Sequence, residues 1–164
     1  MGSGAAAMTR PELAAWPPSD PRYRRFEVTA TIGAGDAAWR RAAADVLRWR
    51  VKTRSGFAVT PDDPVEPGDR LVIAARVLGL AVREPVEVVA VVREPERVGF
   101  AYRTLPGHPV DGEEAFVVSR VRDEARLTIR SLTRPAPAGP WRTLYPVLRL
   151  AQVVARRRYL RALR

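Results

Sequence analysis

The sequence predicts an α+β domain in which a curved antiparallel β-sheet wraps a long C-terminal α-helix. Three observations carry this. Five strand-like runs follow one another from Arg70 to Arg134, separated by the Gly, Pro, Asp and Glu residues that turns use. One alternating strand and one amphipathic helix precede them. The segment from Gly139 to Arg164 then reads as a long amphipathic helix. Strands joined by short turns form a meander, and the helical stripes must cover one face of it.

In chain order, residues 1–22 read as a flexible leader rich in Gly, Ala and Pro, with Leu13 and Trp16 as residues that can dock. "RRFEVTATIG" alternates as a first strand, with Phe26, Val28, Ala30 and Ile32 on one face. Gly35 or Asp36 then caps a helix carrying Ala38, Trp39, Ala42, Val46 and Trp49 at helical spacing. "SGFAVTPDDPVEPGD" is loop, with a brief strand around Phe57 and Val59. The strand runs are "RLVIAARVLGLAV", "EPVEVVAVVRE", "ERVGFAYRTL", "GEEAFVVSRV" and "EARLTIRSLTR", with a tight hairpin around Asp123 and Glu124. In the last helix Pro140 suits the first turn, and Pro146 is expected to kink the helix or delay its start. Its apolar arc comprises Leu144, Val147, Leu148, Ala151, Val154 and Ala155, opposite Arg149, Arg156, Arg157, Arg161 and Arg164, with Arg158 inside the arc. A single domain over 23–164 is the expectation.

Composition narrows the chemistry. The chain has no cysteine, which excludes disulfides, thiolate catalysis and Cys-ligated metals, and its one histidine excludes a multi-His site within the chain. An all-carboxylate metal site has no supporting motif, and no cofactor is implied. The formal charge is +10, which invites a polyanion reading. Only Lys52 is lysine, however, and the other basic residues are arginine. That bias is the mark of genome-wide codon composition rather than of selection for nucleic acid. No apolar leader suggests secretion, Ala6 stands where a myristoylation signal wants Ser or Thr, and Arg76 and Arg83 break the best apolar stretch. A soluble cytoplasmic protein is expected.

The stretch "GFAYRTLPGHPVDGEEAFVV", preceded by "VEPGDRLVIAARVLGLAV" and followed by "SLTRPAPAGPWRTLYPVLRLAQVVARR", resembles the family known as domain of unknown function 1990. The resemblance runs from about Tyr23 to Arg158, with Arg103 and Val110 as departures from the family's pattern. It implies a START-like helix-grip fold of the SRPBCC type, with a cavity between helix and sheet. Relatives in that superfamily are mostly carriers or binders of apolar ligands, with a minority of cyclases and hydrolases. No catalytic motif of theirs is matched here.

The residues themselves nominate sites. Val98, Phe100 and Tyr102 share one strand face, and Glu114, Phe116 and Val118 share one face of the next. The loop "TLPGHPVDG" between them is longer than a minimal hairpin needs. Within it His108, near Tyr102, Glu113 and Glu114, is either part of an acid–base cluster or a structural ring that satisfies loop backbone. His108, Glu114 and Tyr102 are therefore the candidate catalytic residues. Val88, Phe100, Tyr102, Thr104, Phe116, Leu144 and Leu148 are the candidate cavity wall. Arg50, Lys52 and Arg54 alternate, so an extended segment would gather them into an anion grip; otherwise they form a solvated face.

Dinucleotide, P-loop, nucleophile-elbow and zincin signatures are absent. A domain binding an apolar or amphipathic small molecule is the leading expectation. An isomerase, cyclase or hydratase using His108 and Glu114 is the second. The third is peripheral contact of the basic helix with an anionic membrane or, less favoured because no binding motif interleaves aromatics with the charges, with nucleic acid.

Overall fold

The computed structural model describes residues 6–164, with the backbone alone for Val77. β1 (Arg24–Ala34) leads into α1 (Gly35–Val46) and a one-turn α2 (Arg50–Thr53). Five strands follow: β2 (Arg70–Val77), β3 (Leu80–Glu94), β4 (Arg97–Thr104), β5 (Val110–Val121) and β6 (Glu124–Pro135). α3 (Pro140–Thr143) and α4 (Tyr145–Tyr159) complete the chain. The strands form one six-stranded sheet in the order β1-β6-β5-β4-β3-β2, every neighbouring pair antiparallel. Register shifts at Thr31/Gly33 and Val88/Ala90 interrupt the β1–β6 and β3–β4 ladders, and such bulges bend a sheet. The predicted meander closing on a terminal helix is the observed architecture.

Period-two patterning explains the concave face. In β1 the side chains of Phe26, Val28, Ala30 and Ile32 alternate with exposed residues. Phe100 pairs with Phe116, Val98 with Val118, and Tyr102 with Glu114 across β4 and β5. α1 lays Ala38, Trp39, Ala42 and Val46 onto one half of this face. Trp49 ends the cover in a left-handed turn (φ 58°) beyond α1, rather than on its last turn as the spacing predicts. Its ring meets Phe100 edge-on at 4.6 Å. Asp36 does not cap α1; it pairs with Arg120 at 2.5 Å, while the Gly35 amide (φ 82°) donates to the Asp123 carbonyl.

Three boundaries differ from the sequence reading, each for a backbone reason. The run from Arg70 to Val82 reads as one strand, but Leu78 (φ 51°) and Gly79 (φ 79°) turn the chain back within it. Two consecutive positive φ values are what a tight two-residue hairpin requires. The residues after the turn therefore join "EPVEVVAVVRE" in the 15-residue β3. The β4–β5 loop is shorter than predicted, because pairing of Val110 with Pro135 starts β5 early. Around Phe57 and Val59 only an isolated bridge, Ala58 to Ala74, forms.

The leader was expected to be flexible over 1–22. Its first five residues lie outside the described residues, and the part from Ala7 to Trp16 packs on the convex face of the sheet. Ala7 covers Ala101, Ala115 and Val117. Glu113 accepts the Met8 and Thr9 amides at 3.0 and 2.7 Å and the Thr9 hydroxyl. Arg130, fully buried, donates to the carbonyls of Thr9, Arg10 and Ala14 and pairs with Glu27. Arg97 donates to the carbonyls of Pro11 and Leu13. Composition conceals this docking, because its partners are strand residues about a hundred positions away.

At the other end, Pro140 opens α3 and Pro146 falls in the first turn of α4, with the break at Leu144. The inward side of α4 is Leu148, Ala151, Gln152, Ala155 and Tyr159, of which Leu148 and Tyr159 are buried. Leu144, Val147 and Val154, predicted to face the sheet, are each more than two-fifths exposed. The helix is rotated so that Tyr159, rather than a valine, meets the core. Among the described residues no helix is long and apolar enough to cross a membrane.

Candidate functional site

Because α1 and Trp49 fill one half of the concave face, a cavity of about 450 Å³ remains over the other half. Its walls come from the inner side of α4, the β2–β3 hairpin, the β4–β5 loop and the ends of β4, β5 and β6. Leu78, Val82, Leu148, Val154 and Ala155 give it apolar surface. Leu78 sits at the hairpin tip, 88% exposed.

The polar groups gather around Lys52. From α2 its ammonium reaches into the concave face with only 4% of the residue exposed. Nζ donates to the Tyr159 hydroxyl at 2.7 Å and lies 3.3 Å from Glu114 Oε2. The Tyr102 hydroxyl donates to the same Glu114 oxygen. Nζ also stands 4.4 Å from the centre of the Phe57 ring. Burial opposes the ammonium, but Tyr102, Tyr159, Glu114 and Glu84 outweigh it and hold the lysine pKa well above its ordinary value. Burial raises the pKa of both tyrosines, so each remains a neutral hydroxyl.

His108 takes a different part from the one expected. Its Nδ1 accepts the Val110 amide at 3.0 Å, which puts the proton of the neutral ring on Nε2. Nε2 lies 3.9 Å from Glu84 Oε2. Burial, helped by the nearby Lys52 charge, pushes the imidazole pKa down to about 3. At neutral pH His108 therefore carries no acidic proton, and no hydrogen bond joins it to Glu114. The expected His108–Glu114 acid–base pair is replaced by two arrangements, Lys52–Glu114–Tyr102–Tyr159 and His108–Glu84.

The other nominated residues separate cleanly. Tyr102, Thr104 and Leu148 line the cavity as expected. Val88, Phe100 and Phe116 do not; they are buried to within 1% beneath Trp49 and Tyr159 and form the core. Leu144 caps the α3–α4 break, 45% exposed. The anion grip does not form, because the segment is helical and disperses the three charges. Arg50 pairs with Asp62 at 2.9 Å, Arg54 with Asp45 at 2.7 Å, and Lys52 alone turns inward. Arg156 also leaves the basic outer face, donating to Ser131 and lying over the Phe26 ring at 3.9 Å. Glu84 and Tyr159 escape the sequence reading, although both leave a trace in it. Glu84 is in period-two register with Val86 and Val88, a charge on a buried face, and Tyr159 continues the Leu148, Ala155 stripe.

No cluster of three or more metal-ligating side chains occurs among the described residues. The family model described as domain of unknown function (DUF1990) matches residues 5–162. The chain belongs to the DUF1990 family. A UPF0548 protein of Deinococcus radiodurans is 36% identical to this DUF1990 chain over 104 residues, 54% of the chain and 50% of that protein. The match thus spans about half the length of that curated relative. Among solved structures, a hypothetical protein from Helicobacter pylori aligns with a TM-score of 0.61 at 11% identity, covering 85% of both chains. The Zhui aromatase/cyclase from Streptomyces sp. R1128 aligns at 0.57 and 19% identity, covering 86% of this chain and 91% of that one. At these identities the likeness concerns the fold, and the DUF1990 chain has the helix-grip fold.

Proposed function

We propose that the protein binds a small amphipathic molecule between α4 and the sheet. The supporting observation is the cavity of about 450 Å³ with an apolar wall and a buried lysine at its base. Sites for small ligands typically enclose about 300–1,000 Å³, with few polar groups in a largely apolar lining. The apolar body of the ligand lies along Val82, Leu148 and Ala155, and its polar end meets Lys52, Tyr159 and Glu84. That an aromatase/cyclase shares this fold is consistent with an occupied cavity.

Native mass spectrometry and fluorescence titration with 2-naphthol, a compact ring system with one hydroxyl, test this. The expected result is a 1:1 complex with blue-shifted, saturable emission. No complex with 2-naphthol, 2-tetralone or decanoate at millimolar concentration would sink the reading.

A further inference from the structure

Three glutamates contribute to the lining of the cavity, and they are not equivalent: the Glu113 carboxylate turns away from it. Glu113 holds the leader and Glu114 holds Tyr102 and Lys52. Glu84 accepts no side-chain hydrogen bond from any of the described residues, and His108 Nε2 lies 3.9 Å from its Oε2. Its side chain is only 17% exposed. Burial, against the pull of Lys52, keeps its pKa above the ordinary glutamate value. A carboxylate that lines a cavity without a protein donor is open to a ligand, and such a group is suited to moving protons. Facing the same cavity is a pair of donors with spare capacity. Tyr159 accepts from Lys52, so its own proton has no acceptor among the described residues. Lys52 donates one hydrogen bond, to Tyr159, and forms an ion pair with Glu114 at 3.3 Å, which leaves N–H groups for a ligand.

We propose that the cavity catalyses keto–enol exchange on an enolisable ketone. Glu84 is the proton-transfer group, and the Lys52 ammonium and Tyr159 hydroxyl receive the carbonyl oxygen. This rests on the ligand-binding reading above. A C–H bond next to the carbonyl breaks, its proton passes to a Glu84 oxygen, and the electron pair forms C=C while the C=O pair moves onto oxygen. The enolate oxygen is stabilised by Lys52 and Tyr159. Return of the proton from Glu84 to carbon, at the same or the vinylogous position, closes the cycle with no oxidant or reductant. Glu114 is a positioning residue that keeps Lys52 charged and aimed. His108 Nε2–H faces Glu84 at 3.9 Å.

The test is deuterium uptake by 2-tetralone in D₂O, followed by proton NMR, with 2-naphthol titration alongside. The protein is expected to deuterate the carbons flanking the carbonyl at least a hundredfold faster than an equal concentration of acetate. Glu84→Gln should lower the rate at saturating ketone about a hundredfold or more, in kcat rather than KM. Tyr159→Phe should lower it at least tenfold, and serves if Lys52→Met fails to fold. Binding of 2-naphthol with exchange no faster than acetate would overturn the proposal and leave ligand binding standing, as would a Glu84→Gln variant as fast as the parent. Failure of 2-naphthol, 2-tetralone and decanoate alike to bind would overturn the two readings together.

Discussion

The Lys52 ammonium, on a one-turn helix between α1 and β2, hydrogen-bonds the Tyr159 hydroxyl in the last turn of α4 at 2.7 Å. The bond spans 107 positions of sequence and ties the terminal helix to the base of the cavity. Removing one partner of a buried charged cluster strands the other, typically at about 3–5 kcal/mol. Lys52→Met is expected to lose about 3 kcal/mol in urea unfolding, and Tyr159→Phe about 1 kcal/mol. Because they share one bond, the double variant should lose less than the sum; strict additivity would show that the bond contributes nothing.

Filling the cavity separates ligand binding from folding. Ala155 faces inward from α4 and lines the cavity, so Ala155→Trp places an indole in the space a ligand needs. The expected outcome is loss of 2-naphthol binding of at least tenfold with the melting temperature held within about 5 °C. Unchanged affinity would place the ligand elsewhere.

His108 gives the fold an acid limb. Its pKa is pushed down to about 3 in the folded protein, against about 6.5 in an unfolded chain. Between those values the unfolded chain binds the extra proton, so stability is fully present above pH 6.5 and falls as pH drops toward 3. A loss of a few kcal/mol across that window is expected, by about 1.4 kcal/mol for each tenfold difference in proton affinity. His108→Gln should flatten this limb in unfolding curves between pH 7 and 4, whatever it does to stability at neutral pH. A variant with the parent's full slope would remove His108 as its source.

The leader is held through Glu113, which accepts three hydrogen bonds from Met8 and Thr9. Glu113→Ala removes them all and leaves buried donors unpaired, at about 2 kcal/mol. Limited proteolysis should then cut before Trp16 faster than in the parent, while the body of the domain stays intact. Equal cutting rates would show that Arg130 and Arg97 suffice.

Gly99 in β4 passes so close to Phe116 and Val117 of β5 that an added Cβ would overlap their backbone. Gly99→Ala must push two paired strands apart, and a loss of about 2 kcal/mol or more is expected. A thermal melt within 2 °C of the parent would contradict the strand spacing.

The strands were legible because their signal is local. Alternation in "RRFEVTATIG", and the shared faces of Phe100 with Tyr102 and of Phe116 with Glu114, depend on a two-residue repeat that each segment carries by itself. The helix-grip closure was legible from element order together with the family resemblance. The cavity was not. Whether Phe100 lies in a wall or under a floor depends on where Trp49 lands, and that follows from a left-handed turn at Trp49 that spacing does not announce. Lys52 reads in the sequence as part of an anion grip or of a solvated face, because "RVKT" has the alternation of a strand while folding as a helical turn. Glu84 and Tyr159 were hidden for a related reason. Their roles arise only where β3, α2 and α4 converge.

Glu113 and Glu114 are neighbours on β5, one turned out to the leader and the other in to the cavity. A slide of β5 by one position against β4 or β6 would exchange them. It would bury the wrong carboxylate without its lysine, strip the leader of its anchor, and turn Phe116 out to water. The chemistry of the pocket and the alignment of the sheet are therefore enforced by the same pair of side chains, so a misaligned chain is penalised on both faces at once.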